Sequence, residues 1–255
     1  MKTLSDSRRR LHPLPLGEGR GEGVTSRRRS EKSRRSHPAV DPRAVSEFTA
    51  TRLSIYVRCL AVLEGEGVRH VSSQHFARRF DLNSAQIRKD LATFGEFGVR
   101  GVGYEVSELK KHLTSILGLD RTRRVVIIGA GHLGQALADY GGFQSGGFAI
   151  AALFDNDAGK IGARTRTGIA VRDIAELPAV VAREDVAIGV ISVPASAAPS
   201  VARRCVAAGL KALLNFAPVR LNLPPGVRVK NVDLKIHLET LAFYIPSPAT
   251  KGAPA

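Results

Sequence analysis

Residues 125–134 read Val-Val-Ile-Ile-Gly-Ala-Gly-His-Leu-Gly. Four consecutive large apolar residues predict a strand buried on both faces, as in a parallel sheet. The GxGxxG that follows, Gly129-Ala130-Gly131-His132-Leu133-Gly134, predicts a strand that turns tightly into a helix. Its first glycine permits the turn, its second lets backbone N–H groups approach a pyrophosphate, and its third lets helix and strand pack closely, with the anion at the helix N-terminus. In isolation such a motif is weak. Between a buried strand and a helix it points to a dinucleotide.

Downstream, the apolar pattern alternates between strand and helix. A helix over 133–140 is followed by a strand at 149–154, a helix around 173–182, a strand at 186–193, a helix at 196–208, a strand at 210–216 and an edge strand at 227–232. That order predicts βαβ units with right-handed crossovers. Asp155 ends the second strand, where a carboxylate can accept from ribose hydroxyls and repel a 2′-phosphate, so NAD(H) is favoured over NADP(H). It stands slightly farther than ~20 residues from the glycines, and the insertion at 141–147 accounts for the difference. Ser192-Val193-Pro194 and Asn215-Phe216-Ala217-Pro218 also fall at strand C-termini, where such sheets bind ligands; either can line the pocket or simply be a turn. A last helix over 234–245, closed by Pro246 and Pro248, carries Leu234, Leu238, Leu241 and Ile245 as an apolar stripe that needs a surface to bury against.

Upstream, a helix is expected from Ser46, with Leu53, Val57, Leu60 and Ala61 at helical spacing and Gly65 and Gly67 ending it. A second helix starts at Ser72 or Ser73 and places Phe76, Ala77 and Phe80 on one side. Only Asp81, Leu82 and Asn83 separate it from a third, which Asn83 can cap with Gln86 three residues on, as in a capping box. So tight a connection suggests a helix-turn-helix. In the third helix Ile87, Leu91 and Phe94 turn inward, leaving Gln86, Lys89 and Thr93 on the far face and Arg88 on its flank. Arg88 and Lys89 are placed to meet phosphates or guanine edges in a major groove. A glycine-punctuated hairpin at 94–104 follows; Arg100 beside Gly101 suits a wing entering a minor groove. A short helix over 107–117 completes this part.

Composition sets the outer bounds. A chain of 255 residues, 44% of them hydrophobic, can build a core and suggests about two domains. The longest apolar runs fall well short of the ~20 residues needed to span a bilayer, and the Arg-rich N-terminus is not followed by the apolar stretch of a secretory signal. The net charge of +15 divides into +7 for residues 1–45, +1 for 46–120 and +7 for 121–255, so the most basic part is the N-terminal tail. That tail has few large apolar residues and is expected to be disordered, either a basic arm adding phosphate contacts or translation begun too far upstream. Cys59 and Cys205 sit in apolar helical patterns without metal-ligand spacing, which suggests core thiols of a cytosolic protein and no metal site. His132 lies in the glycine loop and His237 and Glu239 on the last helix, yet no acid/base set faces a substrate region, so no catalytic residue is assigned. The dinucleotide then serves as a signal.

Taken in order, these residues resemble the family of redox-sensing transcriptional repressors called Rex. The resemblance runs from about Ser46 to Ile245 and rests on Gln86-Ile87-Arg88-Lys89-Asp90-Leu91, Phe94-Gly95-Glu96-Phe97-Gly98, Arg100-Gly101-Val102-Gly103-Tyr104, the glycine fingerprint, Phe154-Asp155, Val193-Pro194, 215–218 and Asn231-Val232-Asp233-Leu234. It implies an α/β chain with a winged helix-turn-helix domain at 46–120, a Rossmann-like NAD-binding domain at 121–232, a helix at 233–246 swapped between the subunits of a homodimer, and a disordered end at 247–255. It implies binding to palindromic operators of respiratory and fermentative genes and release by NADH. It places a switch on Arg58, Tyr140 and Asp233, and adds Leu234 to Gly129–Gly134, Asp155, Val193, Pro194, Asn215 and Phe216 around the coenzyme. It departs from the pattern at Asp81, where glycine is common, and in the long basic tail. Two other classes remain as alternatives: a CoA-binding or acyl-CoA ligase-like Rossmann protein, which leaves the helix-turn-helix unexplained, and an NAD-dependent dehydrogenase, which lacks an acid/base pair.

Overall fold

The computed structural model describes Asp41 and residues 44–245. The expectations placed on most of the basic tail and on 246–255, with Pro246 and Pro248, lie outside the described residues.

Helix α1 (Glu47–Gly65) begins where the Ser46 hydroxyl accepts from Thr49 N at 3.1 Å. Its buried face carries Leu53, Tyr56, Leu60 and Leu63. The expected Val57 and Ala61 are half-buried and exposed; the stripe turns because the Tyr56 ring packs on Phe76, 5.9 Å between centroids, while its hydroxyl reaches a buried carboxylate. Strand β1 (His70–Val71) went unpredicted, two residues being too short to show alternation.

Helix α2 (Ser73–Arg79) is capped by Ser72, and α3 (Ser84–Phe94) by Asn83, whose Oδ1 accepts from Gln86 N at 2.9 Å. Between them Leu82 N donates to Ala77 O at 2.8 Å while Asp81 takes φ 52°. This is the Schellman ending of α2, with aspartate in the left-handed position that usually goes to glycine. The departure from the family pattern at Asp81 therefore leaves the turn intact. Gln86 does not complete a capping box. Its side chain runs forward along the helix to Asp90 instead.

The wing is β2 (Gly98–Val99) and β3 (Gly103–Glu105), antiparallel, in a small sheet of order β1-β3-β2. Gly103, at φ 96°, passes so close to Val71 that a Cβ would stand 2.5 Å from the Val71 carbonyl oxygen. Helix α4 (Val106–Ile116), capped by the Glu105 carboxylate, closes this core by burying Val106, Leu109 and Leu113.

The second part comprises β4 (Arg123–Ile128), α5 (His132–Ala138), α6 (Gly141–Ser145), β5 (Phe148–Asp155), β6 (Val171–Asp173), a 3-10 turn (Ile174–Glu176), α7 (Leu177–Arg183), β7 (Val186–Ile191), α8 (Ala198–Ala207), β8 (Ala212–Asn215) and β9 (Arg228–Asn231). Six parallel strands run β6-β5-β4-β7-β8-β9. That is the doubly wound order, whose direction reverses between β4 and β7. The three-residue β6 was not foreseen, and the expected helix 133–140 stops at Ala138, leaving Tyr140 as the residue that leads into α6.

Helices α7 and α8 cover one sheet face around Leu177, Val180, Ala198 and Ala202. On the other, α5 supplies Leu137 and Ala138, while Ile150, Ile188 and Leu214 are only half-covered. A groove of about 750 Å³ opens there against Glu47, Ala50, Thr51 and Ser54 of α1. Lys230 of β9 pairs with Glu47 at its rim. The last helix, α9 (Leu234–Phe243), starts at the Asp233 cap and buries no residue; Leu234, Leu238, Leu241 and Ile245 are all exposed.

Candidate dinucleotide cavity and nucleic-acid surface

A cavity of about 440 Å³ sits at the C-terminal ends of β4, β5 and β7, lined by Ile128, Gly129, Gly131, Asp155, Ser192, Val193 and Pro194. It lies at the reversal of strand order, the place where such sheets take nucleotides. At Gly129, φ 108°, a Cβ would stand 2.5 Å from the Ser192 carbonyl oxygen, so only glycine lets the two backbones pass this closely. A Cβ on Gly134 would overlap the Gly129 carbonyl oxygen, so this glycine sets how closely α5 meets β4. Gly131 differs: nothing stands within 4 Å of its missing Cβ, and it faces the cavity. Space kept clear beside backbone N–H groups fits a pyrophosphate. Ala130 is buried behind the loop, whereas His132 and Leu133 are exposed on the first turn of α5.

Asp155 is buried, and each oxygen accepts twice. Oδ2 takes Ala130 N at 2.7 Å and Lys160 Nζ at 3.2 Å; Oδ1 takes Asn156 N at 2.9 Å and Asp157 N at 3.0 Å. Burial pushes its carboxyl pKa up, but the Ala130 and Asp157 amides and the Lys160 ammonium outweigh that and hold it below the ordinary carboxylate range. Before any ribose arrives, this carboxylate therefore binds the glycine loop to the end of β5. Lys160 also lines the cavity, together with Asn156, Ile174, Ser200 and Arg204. Sequence reasoning missed all five. Lys160 was within reach as a cation five residues past the strand-end aspartate; Ser200 and Arg204 depend on how α8 lies beside the cavity.

Asn215 is fully buried and committed. Its Nδ2 donates to Ala217 O, Val219 O and Asn231 Oδ1 at 3.0–3.1 Å, and its Oδ1 accepts from Ala217 N at 3.0 Å. It fastens the 217–219 loop to β9 and does not line the cavity, because a buried amide must satisfy its own polar atoms first. Phe216 packs into the core beside β8. Leu234 stands exposed on α9. Ser192, by contrast, donates its hydroxyl to the Ile128 and Gly129 carbonyls at 3.1 and 3.0 Å, bracing the cavity floor.

On the other part of the chain, Arg88, Lys89, Thr93, Arg100 and Gly101 are exposed. Arg88 Nη1 donates to Ser73 Oγ of α2 at 3.1 Å, while Arg100 and Gly101 form the tip of the wing. Gln86, expected on the outer face, is half-buried: its Nε2 donates to Asp90 Oδ1 at 2.7 Å. The reason is Asp90 itself, a buried carboxylate that attracts every donor in reach, Arg52 and Tyr56 included. This group was not foreseen. Gln86 and Asp90 are four apart on one helix, but Arg52 is 38 residues away and no local pattern joins them.

Arg58 is exposed on α1; Tyr140, exposed, sets its ring edge-on to Phe143 at 5.1 Å; Asp233 accepts from Lys235 N at 2.9 Å. Among the described residues no hydrogen bond or ion pair joins any two of these three.

Among known families, one described as "CoA binding domain" matches residues 120–219, and one described as "Putative DNA-binding protein N-terminus" matches residues 44–92. The chain is 50% identical over 201 residues to a redox-sensing transcriptional repressor Rex from Carboxydothermus hydrogenoformans, covering 79% of this chain and 96% of that one. It is 46% identical over 222 residues to the Rex of Streptomyces coelicolor, covering 87% and 86%. The crystal structure of RSP in complex with β-NAD+ and operator DNA superposes with a TM-score of 0.74 at 39% identity, covering 78% of this chain and 91% of that one. RSP in complex with β-NADH gives 0.71 at 38%, covering 78% and 93%. The sequence matches these proteins over nearly their whole length, and the chain belongs to the Rex family of redox-sensing transcriptional repressors.

Proposed function

We propose that this chain represses transcription by holding operator DNA and lets go when NADH occupies the cavity beside Gly131. One observation carries this: a single chain presents exposed cations on α3 and the wing, and a nucleotide-sized cavity at the strand reversal of its sheet. That RSP has been seen with NAD+ and operator DNA, and with NADH, supports the same division of labour here. Lys89, Arg88, Arg100 and Gly101 meet DNA, and Gln86 positions the helix. Gly129 and Gly131 hold the pyrophosphate; Asp155 and Lys160 serve the ribose, with Val193 and Pro194 along the wall. The chain acts as a regulator, in the cytoplasm where its operators are, and the coenzyme is read without being consumed. A CoA-binding role accounts for the glycine loop alone and leaves α2, α3 and the wing without a task.

Adenosine is common to both coenzyme forms and cannot by itself shift an equilibrium between DNA-holding and released states. A swing from 1:99 to 99:1 needs about 10⁴-fold preference, or ~5.5 kcal/mol. The differential must come from the nicotinamide, positively charged when oxidised and neutral when reduced, and Arg58, Tyr140 and Asp233 sense it from across a subunit boundary. Subunits join through α9. Ten residues of helix, about 15 Å long, expose an apolar stripe, and the groove between α1 and the half-covered sheet is walled largely by apolar side chains such as Val125, Phe148 and Ile188. Helix α9 of a second copy fills the groove, and the pair suits a palindromic operator. Titration of a short palindromic duplex with the full chain, in NADH and in NAD+ separately, tests this: DNA must be held in NAD+ and released in NADH. Equal affinity in both would overturn it.

A further inference from the structure

Asp90 lies on α3, the helix whose exposed side carries Arg88 and Lys89, yet its own carboxylate is 3% exposed. Four donors converge on it. Arg52 of α1 grips both oxygens, Nε to Oδ2 at 2.6 Å and Nη2 to Oδ1 at 2.7 Å; Tyr56 of α1 donates its hydroxyl to Oδ2 at 3.0 Å; Gln86, one turn back on α3, donates to Oδ1 at 2.7 Å. Burial raises the Asp90 carboxyl pKa, but Arg52, Gln86 and Tyr56 outweigh that and keep it below the ordinary range, so the carboxylate is charged.

Only the carboxylate of this pair is buried, Arg52 keeping a third of its side chain in water; desolvating Asp90 offsets much of the attraction, so the pair adds little stability over an apolar contact of similar shape. What a forked guanidinium on a carboxylate does supply is direction: two parallel hydrogen bonds fix the angle as well as the distance between the elements that carry them. Here the elements are α1 and α3.

Helix α1 has a second engagement. Glu47, Ala50, Thr51 and Ser54, at spacings of three, four and seven, line the groove against the sheet. At about 100° per residue, Arg52 and Tyr56 project roughly half a turn round from that row. One side of α1 therefore faces the groove, and the other grips α3.

We propose that Asp90 is a positioning residue that makes the DNA-facing helix follow α1, so that whatever fills the groove sets the angle at which Arg88 and Lys89 meet DNA. The proposal rests on the repressor reading above. It assigns Asp90, Arg52 and Tyr56 to the linkage between coenzyme state and DNA, without contact with either ligand.

The full chain is compared with Asp90→Asn, Arg52→Lys and Tyr56→Phe. Three quantities are measured: affinity for a palindromic operator duplex in saturating NADH and in saturating NAD+, NADH affinity without DNA, and thermal unfolding. Arg52→Lys keeps the charge and loses the fork. Asp90→Asn and Arg52→Lys are each expected to reduce the ratio of operator Kd in NADH to that in NAD+ at least tenfold, with NADH affinity within twofold of wild type; Tyr56→Phe has a smaller effect of the same sign. Should Asp90→Asn fail to unfold cooperatively, Arg52→Lys decides. Whatever the melting temperature, a merely structural role weakens operator binding equally in both coenzymes; an unchanged ratio in a folded Arg52→Lys protein overturns the proposal. A wild-type ratio of one overturns the repressor reading, and this proposal with it.

Discussion

The Lys160 ammonium lies 3.2 Å from Asp155 Oδ2, on the oxygen that also receives the Ala130 amide of the glycine loop. The carboxylate thus already receives four donors, and Lys160 is the more exposed partner of the pair. Asp155→Ala strands the buried Ala130 amide without its acceptor, which costs about 1–3 kcal/mol. We expect a lower melting temperature together with loss of NADH binding in a fluorescence titration. A variant that melts like wild type would show that the carboxylate does not brace the loop.

Asp81 holds φ 52° at the end of α2, a conformation that disfavours side chains other than those of glycine, asparagine and aspartate. Asp81→Val should destabilise the chain by about 1–2 kcal/mol, whereas Asp81→Gly should unfold at a urea concentration no lower than wild type. If valine is tolerated without a shift in midpoint, the turn adopts another geometry in solution.

What was legible beforehand divides by range. The glycine loop, the alternation of strand and helix and the inward Ile87, Leu91 and Phe94 are local signals, readable because their periods match one element each. Two- and three-residue strands such as β1 and β6 carry no period and exist only through their partners. The face of α1 was misjudged because Tyr56 answers to Asp90, 34 residues on, as well as to its own helix. Asn215 was read as a pocket residue from its place at a strand end; its four hydrogen bonds show why polar residues there as readily serve the scaffold.

Lys89 is exposed on α3 and Arg100 on the wing tip. Replacing either by alanine should weaken operator binding and reduce the slope of log K against log salt by about one. Anisotropy titrations over a salt series measure both. Wild-type affinity in both variants would move the DNA contact to another surface.

Leu238 is 66% exposed in the middle of α9. Burying such a side chain against a second chain is worth about 1.5–3 kcal/mol, and an aspartate there reverses the sign. Sedimentation of Leu238→Asp should give a folded monomer where wild type gives a dimer. A dimer of unaltered stability would remove α9 from the interface.

Two buried carboxylates, Asp90 and Asp155, have pKa values below the ordinary range in the folded chain. For groups shifted in that direction the stabilisation is complete above the unfolded value of about 3.9 and disappears as pH falls through the folded value. The gap in melting temperature between wild type and Asp90→Asn should therefore be constant from pH 7 to about 5 and narrow below about 4. A gap that persists into strong acid would mean that the Asp90 charge contributes nothing to folding.

The three glycines of the nucleotide loop answer to different masters. A methyl group on the first or third collides with backbone, so drift at Gly129 or Gly134 spoils the molecule itself. At Gly131 a methyl has open room, and what it obstructs is only the visitor. Of these three, a descendant that kept this architecture but stopped consulting its coenzyme would be released from constraint at residue 131 first, which makes it the loop glycine to inspect in lineages gone deaf to redox state.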